Sequence, residues 1–158
     1  MRNKKYGKDQ RGSSMAEFAV VALLFFMIIF GIIEFGRLLY THNALTDATR
    51  RGARYAVLHD SDAPCVVNVV VYGETHINPT TCAPTGPPLI NGLTAANVQV
   101  QYNGSGSFAY GMNLGTCTVT ITDYRFNLSI PLFRRTLTMP AYKTTITAES
   151  AGVIPPDI

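Results

Sequence analysis

Charge is scarce in this 158-residue chain, at 15% of residues, and no lysine or arginine occurs between Arg54 and Arg125. Binding nucleic acid takes basic side chains spread over a face that follows the phosphates. Residues 55–124 offer none, and Asp60, Asp62, Glu74 and Asp123 lie in that same stretch, so no nucleic-acid partner is expected. Catalytic patterns are missing too: there is no G-x-S-x-G, no phosphate-binding loop and no paired carboxylates at catalytic spacing. His42, His59 and His76 fall far apart, without H-x-x-x-H or C-x-x-C spacing. The expectation is therefore no enzyme, no cofactor and no metal. Asp60 and Asp62 beside His59 read as turn formers rather than calcium ligands.

What charge there is sits in one place. Arg2, Lys4, Lys5, Lys8 and Arg11 fall in the first twelve residues with Asp9 as the one opposing acid, so that arm carries +4 of a total of +3 and the remainder is −1. The pI near 8.8 thus describes a short polar arm, residues 1–12, and not a basic surface. At 47% apolar the chain is too hydrophobic for a disordered tail and too short for several domains. Its three cysteines, Cys65, Cys82 and Cys117, all follow the hydrophobic run, as in an extracytoplasmic domain with one disulfide. Three single bridges are open to them, and Cys65 to Cys82 is the one that closes the first apolar run onto a Pro-rich loop.

Residues 18–33 (FAVVALLFFMIIFGII) pass without a charge, and apolar character resumes at Phe35, Leu38, Leu39 and Tyr40. A helix needs about 20 residues to cross a bilayer, so residues 18–40 suffice if Glu34 and Arg37, three apart on one face, pair at the far boundary. No proline interrupts residues 41–58, and Leu38, Leu45, Ala48, Gly52 and Ala56 recur at helical spacing. One helix is expected over residues 13–58, half in lipid and half amphipathic outside it. No A-x-A-like cleavage site follows the apolar run. After the turn formers at residues 59–64, four runs read as strands: 66–72, 97–102, 116–130 and 142–149, with the first also open to a short buried helix. Clear alternation marks Val98, Val100 and Tyr102, then Cys117, Val119 and Ile121. The expected fold is α+β: a long N-terminal helix, then a small antiparallel β-sheet domain over residues 59–158.

The junction Arg11-Gly12-Ser13-Ser14-Met15-Ala16-Glu17-Phe18 sets a lone carboxylate at the start of the apolar helix, where ionisation is costly unless the charge is paired. A cut after Gly12 would give Ser13 a free amine at that membrane depth, and Glu17 of one parallel helix could neutralise Ser13 of the next. A basic leader ending in Gly12, then Ser13, Glu17 at the fifth mature position and the aromatic Phe18, resembles the prepilin cleavage motif of type IV pilins. Residues 31–40 (GIIEFGRLLY) and 52–57 (GARYAV) resemble, more narrowly, the TadE-like minor pilins of tight-adherence (Tad/Flp) pili. Met15 and Ala16 stand where many relatives have Ala and Val, which leaves the charge geometry intact. The resemblance implies a pilin-like minor pilin made as an inner-membrane prepilin, N-terminus cytoplasmic and C-terminal domain periplasmic, reaching the pilus or cell surface on assembly. Its implied partners are a prepilin peptidase, an inner-membrane assembly platform, a TadF-like minor pilin and the Flp-type major pilin. The alternative reading is an uncleaved signal anchor carrying a binding domain.

Overall fold

The computed structural model describes residues 11–58, 63–78, 80–103, 116–130 and 133–147. Residues 1–10 of the arm, the turn with Asp60 and Asp62, and the end of the chain lie outside them. Helix α1 runs unbroken over Arg11–Leu58 and α2 over Ala63–Tyr72. Five strands follow: β1 Val98–Asn103, β2 Thr116–Ile121, β3 Arg125–Ile130, β4 Phe133–Thr138 and β5 Tyr142–Thr147.

β2 is the centre of an antiparallel three-stranded sheet, ordered β1-β2-β5. In its register Val100 faces Val119 and Val119 faces Thr144, while Val98 and Tyr142 flank Ile121. The period of two then places Val98, Val100, Tyr102, Cys117, Val119, Ile121 and Tyr142 on one face and Gln99, Gln101, Thr118, Thr120 and Lys143 on the other. The apolar face lies on the helices, and the opposite face is amide, hydroxyl and amine. Strands β3 and β4 form a separate antiparallel hairpin between β2 and β5 in the chain.

Residues 66–72, open to either a strand or a short buried helix, are the helix: they form the body of α2. Valine favours strands, but its propensity is weak against packing. As helix, Val66, Val69, Val70 and Val71 are all fully buried between α1 and β1. Gly73, at φ 80°, ends the helix in a conformation glycine adopts without strain, and its N–H bonds the carbonyl of Val69 at 2.9 Å. The run 116–130 is likewise two strands rather than one. Asp123 takes φ 57°, a left-handed conformation that Asp tolerates better than most residues, and this redirects the chain from the sheet into the hairpin. β4 has no counterpart among the expected runs.

The core sits under the outer half of α1. Leu45, Ala48, Thr49, Ala53 and Ala56 are buried, spaced three and four apart on one broad face. Small side chains here let α2 and the sheet approach the same helix from two sides. Gly52 marks the tightest point: a Cβ there would overlap Val70 Cγ2 of α2 and stand 3.7 Å from Val119 Cγ1 of β2. Polar groups on this face are matched, Thr49 with the Thr144 hydroxyl at 2.8 Å and His42 Nδ1 with the Tyr142 hydroxyl at 2.8 Å. Cys117, a free cysteine, is fully buried on the inner face of β2, and burial pushes its thiol up from 9.0 to about 11.

Gly52→Ala should destabilise the domain by about 1–3 kcal/mol through overpacking, outweighing a helix-propensity gain of up to about 1 kcal/mol. Gly36→Ala, where nothing lies within 4 Å of the added Cβ, should unfold at or above the parent temperature in detergent, as followed by circular dichroism. For Cys117, a shift from 9.0 to about 11 lowers the thiolate fraction near neutral pH about 100-fold. Alkylation should be slower by at least that factor in the native protein than in the unfolded chain with its disulfide intact. Because the folded value is raised, this thiol's contribution is complete below pH 9 and is lost as pH rises toward about 11; Cys117→Ala should flatten that part of the stability profile.

Candidate functional site

Helix α1 changes character along its length. Among the described side chains from Ser14 to Ile33, none is buried, and Phe18, Val21, Phe25, Ile28 and Ile32 each expose more than half their surface. The helix holds a stretch long and apolar enough to cross a membrane, with only 6% of that stretch buried inside the protein. A core helix would be covered by its own domain, whereas this stretch is apolar all round and uncovered, as a lipid-facing span is. It is consistent with a single-pass anchor.

At the inner end of this stretch, Glu17 and Phe18 are both exposed, Phe18 at 72%. Gly12 and Ser13 lie in the first turn of α1, where the backbone path is helical and the side chains fall outside the described ones. The four positions singled out by the junction thus share one helical start.

At the outer end, Glu34 is the first buried side chain of the helix, at 7% exposure. Its Oε1 accepts from the Arg37 guanidinium at 2.6 Å, while Oε2 is buried without a hydrogen-bond partner. The Arg37 guanidinium in turn lies 5.4 Å from the centre of the Phe126 ring on β3, a cation–π contact worth about 0.5–2 kcal/mol according to how far it is desolvated. So Glu34 orients Arg37, and Arg37 seats the hairpin. Thr41, one turn on, is buried and donates to the Arg37 carbonyl at 2.9 Å. The sequence places Glu34 beside Arg37 by spacing alone. Phe126 has no such signal, because its contact depends on the break at Asp123 and on the resulting direction of β3. Next to this contact lies an open cleft of about 360 Å³ lined by Arg37, Tyr40, Asn91, Tyr124 and Arg125 among others, where the Tyr124 hydroxyl donates to the Asn91 carbonyl at 2.7 Å. Burial pushes the Tyr124 hydroxyl above the usual phenol range, with Arg37 acting in the opposite direction.

Cys65 and Cys82 are bonded to each other, with Cα atoms 5.1 Å apart. The bridge pins the first turn of α2 to the Pro-rich segment after it, and Asn68 Nδ2 adds a donor to the Cys82 carbonyl at 2.9 Å. Among the described residues, no three His, Cys, Asp or Glu side chains stand together as metal ligands.

The features on α1 form a linear series rather than a pocket: a junction, an uncovered apolar span, an ion pair under a hairpin, and a buried small-residue stripe. No curated protein and no solved structure matches the chain. Residues 12–54 match the model of the family described as TadE-like protein, a match that starts at Gly12 and takes in the junction, the span and the Glu34–Arg37 exit. Over that segment, about a quarter of the chain, it is similar to TadE-like proteins.

Proposed function

We propose that this chain is a minor pilin of a Tad-type pilus, made as an inner-membrane prepilin and cut after Gly12. The family match over residues 12–54 supports a link to the Tad pilus, and its start at the glycine of the junction is the observation that carries the reading. The basic arm holds the N-terminus in the cytoplasm by the positive-inside rule, which sets residues 59–158 in the periplasm. A prepilin peptidase at the cytoplasmic face then removes residues 1–12 and leaves Ser13 with an α-amino group.

Cleavage changes the electrostatics of the span. Within the bilayer, the carboxylate of Glu17 and the new amine of Ser13 are each costly as lone ions. When helices gather side by side, Glu17 of one subunit meets Ser13 of its neighbour, and the attraction is strongest where water is excluded. The charge pair favours assembly over the dispersed monomer and sets the stagger of neighbouring helices. In this account the partners are the peptidase, the inner-membrane assembly platform, a TadF-like minor pilin and the Flp-type major pilin; the uncovered apolar face from Phe18 to Ile33 supplies the packing surface. The periplasmic domain rides on the outer half of the same helix and reaches the pilus with it.

Intact mass of the membrane-purified protein should show a chain beginning at Ser13 when an active prepilin peptidase is present. Gly12→Val should leave residues 1–12 attached. Glu17→Val should be cleaved at the normal site yet be recovered in sheared pili at a tenth or less of the parent level, on the order of the 1.4 kcal/mol that one decade represents. Full retention of the arm beside an active peptidase, or normal incorporation of Glu17→Val, would overturn the reading.

A further inference from the structure

Past Arg54, the chain has four basic residues, Arg125, Arg134, Arg135 and Lys143, and three of them belong to the β3–β4 hairpin. Residues 124–142 contain no acid, with Asp123 standing just before them. Arg125, Arg134 and Arg135 are exposed, as is Leu137 at 40%, and among the described residues none of the three arginines makes an ion pair. By register, Leu128 faces Arg135, Ser129 faces Arg134 and Arg125 faces Thr138, so the cations lie on both faces of the hairpin.

The hairpin's place along α1 gives these cations a setting. β5 meets the helix at His42 and Thr49, through Tyr142 and Thr144, whereas β3 meets it at Arg37 through Phe126. The hairpin is therefore the part of the domain nearest the apolar span. Residues 18–33 rise only about 24 Å as helix against about 30 Å of hydrocarbon. The outer edge of the bilayer then falls at the turn holding Glu34 and Arg37, where the hairpin is seated. Arginines without an ion-pair partner among the described residues then lie level with the lipid phosphates of that leaflet.

We propose that the β3–β4 hairpin binds the anionic phospholipid headgroups of the outer-facing leaflet through Arg125, Arg134 and Arg135, with Leu137 beside them at the lipid boundary. An arginine close to an anionic surface contributes about fivefold in binding, and the effect is screened by salt. Contact with the leaflet adds to the Phe126–Arg37 contact in holding the domain against the membrane until the helix leaves it. The inference needs α1 to span the bilayer but does not need cleavage after Gly12.

The test is hydrogen exchange of the full-length chain in nanodiscs of phosphatidylcholine alone or with phosphatidylglycerol added. Amides of residues 125–138 should exchange at least about fivefold more slowly in the anionic discs, while β1 stays unchanged. Raised salt, or Arg125→Gln/Arg134→Gln/Arg135→Gln in a chain with the parent circular dichroism, should remove the difference. Equal exchange in both discs would overturn the proposal, as would protection that survives in the triple variant. Protection that appears only after a second pilin subunit is added would also overturn it and assign the arginines to a protein surface. Failure of the chain to enter the discs at all would instead strike at the membrane span on which the inference rests.

Discussion

One unbroken helix has to satisfy two solvents. Over its first part, α1 exposes Phe, Leu, Ile and Val all round, a surface stable in hydrocarbon, where every backbone group is bonded within the helix. Over its last part, the same helix buries Leu45, Ala48, Thr49, Ala53 and Ala56 against protein. No proline falls between the two parts, and hydrogen bonding is continuous through Arg11–Leu58. The rest of the structure is arranged around the point where the surroundings change.

That point is marked by Glu34, Arg37 and Phe126. A half-buried ion pair is a weak source of stability by itself, yet here it aims a guanidinium at an aromatic ring on another element. Further out, the helix face narrows to Ala, Gly and Thr, so α2 and β2 meet across Gly52. The disulfide between Cys65 and Cys82 ties α2 to the loop that follows it. Each contact places an element at a fixed height along α1, so the height of the domain above the apolar stretch follows from helix geometry.

Helical periodicity made the distal stripe legible before any coordinates, because Leu45, Ala48, Gly52 and Ala56 alternate with charged residues. The inner face of β1 and β2 was legible for the corresponding reason, an alternation of period two. Residues 66–72 were not: a run that is apolar on every side has no period, and only its place between α1 and β1 decides for helix. The hairpin was hidden because Asp123 is a single residue in a long β-rich run, and the turn it makes depends on a backbone conformation that the sequence does not announce. At the candidate site, Gly12, Glu17, Glu34 and Arg37 stood out through spacing and local charge. Phe126 comes from nearly ninety residues beyond Arg37 and is placed by tertiary structure alone. Three disulfide pairings were open for the same reason.

The central claim is that membrane span and domain core are one rigid helix. Spin labels at cysteines replacing Phe18 and Leu58, in a Cys117→Ala chain reconstituted in nanodiscs, read this directly by pulsed dipolar spectroscopy. Forty residues of continuous α-helix predict a narrow distribution near about 60 Å. A short or broad distribution would mean that the helix breaks at the membrane surface, and would contradict the account.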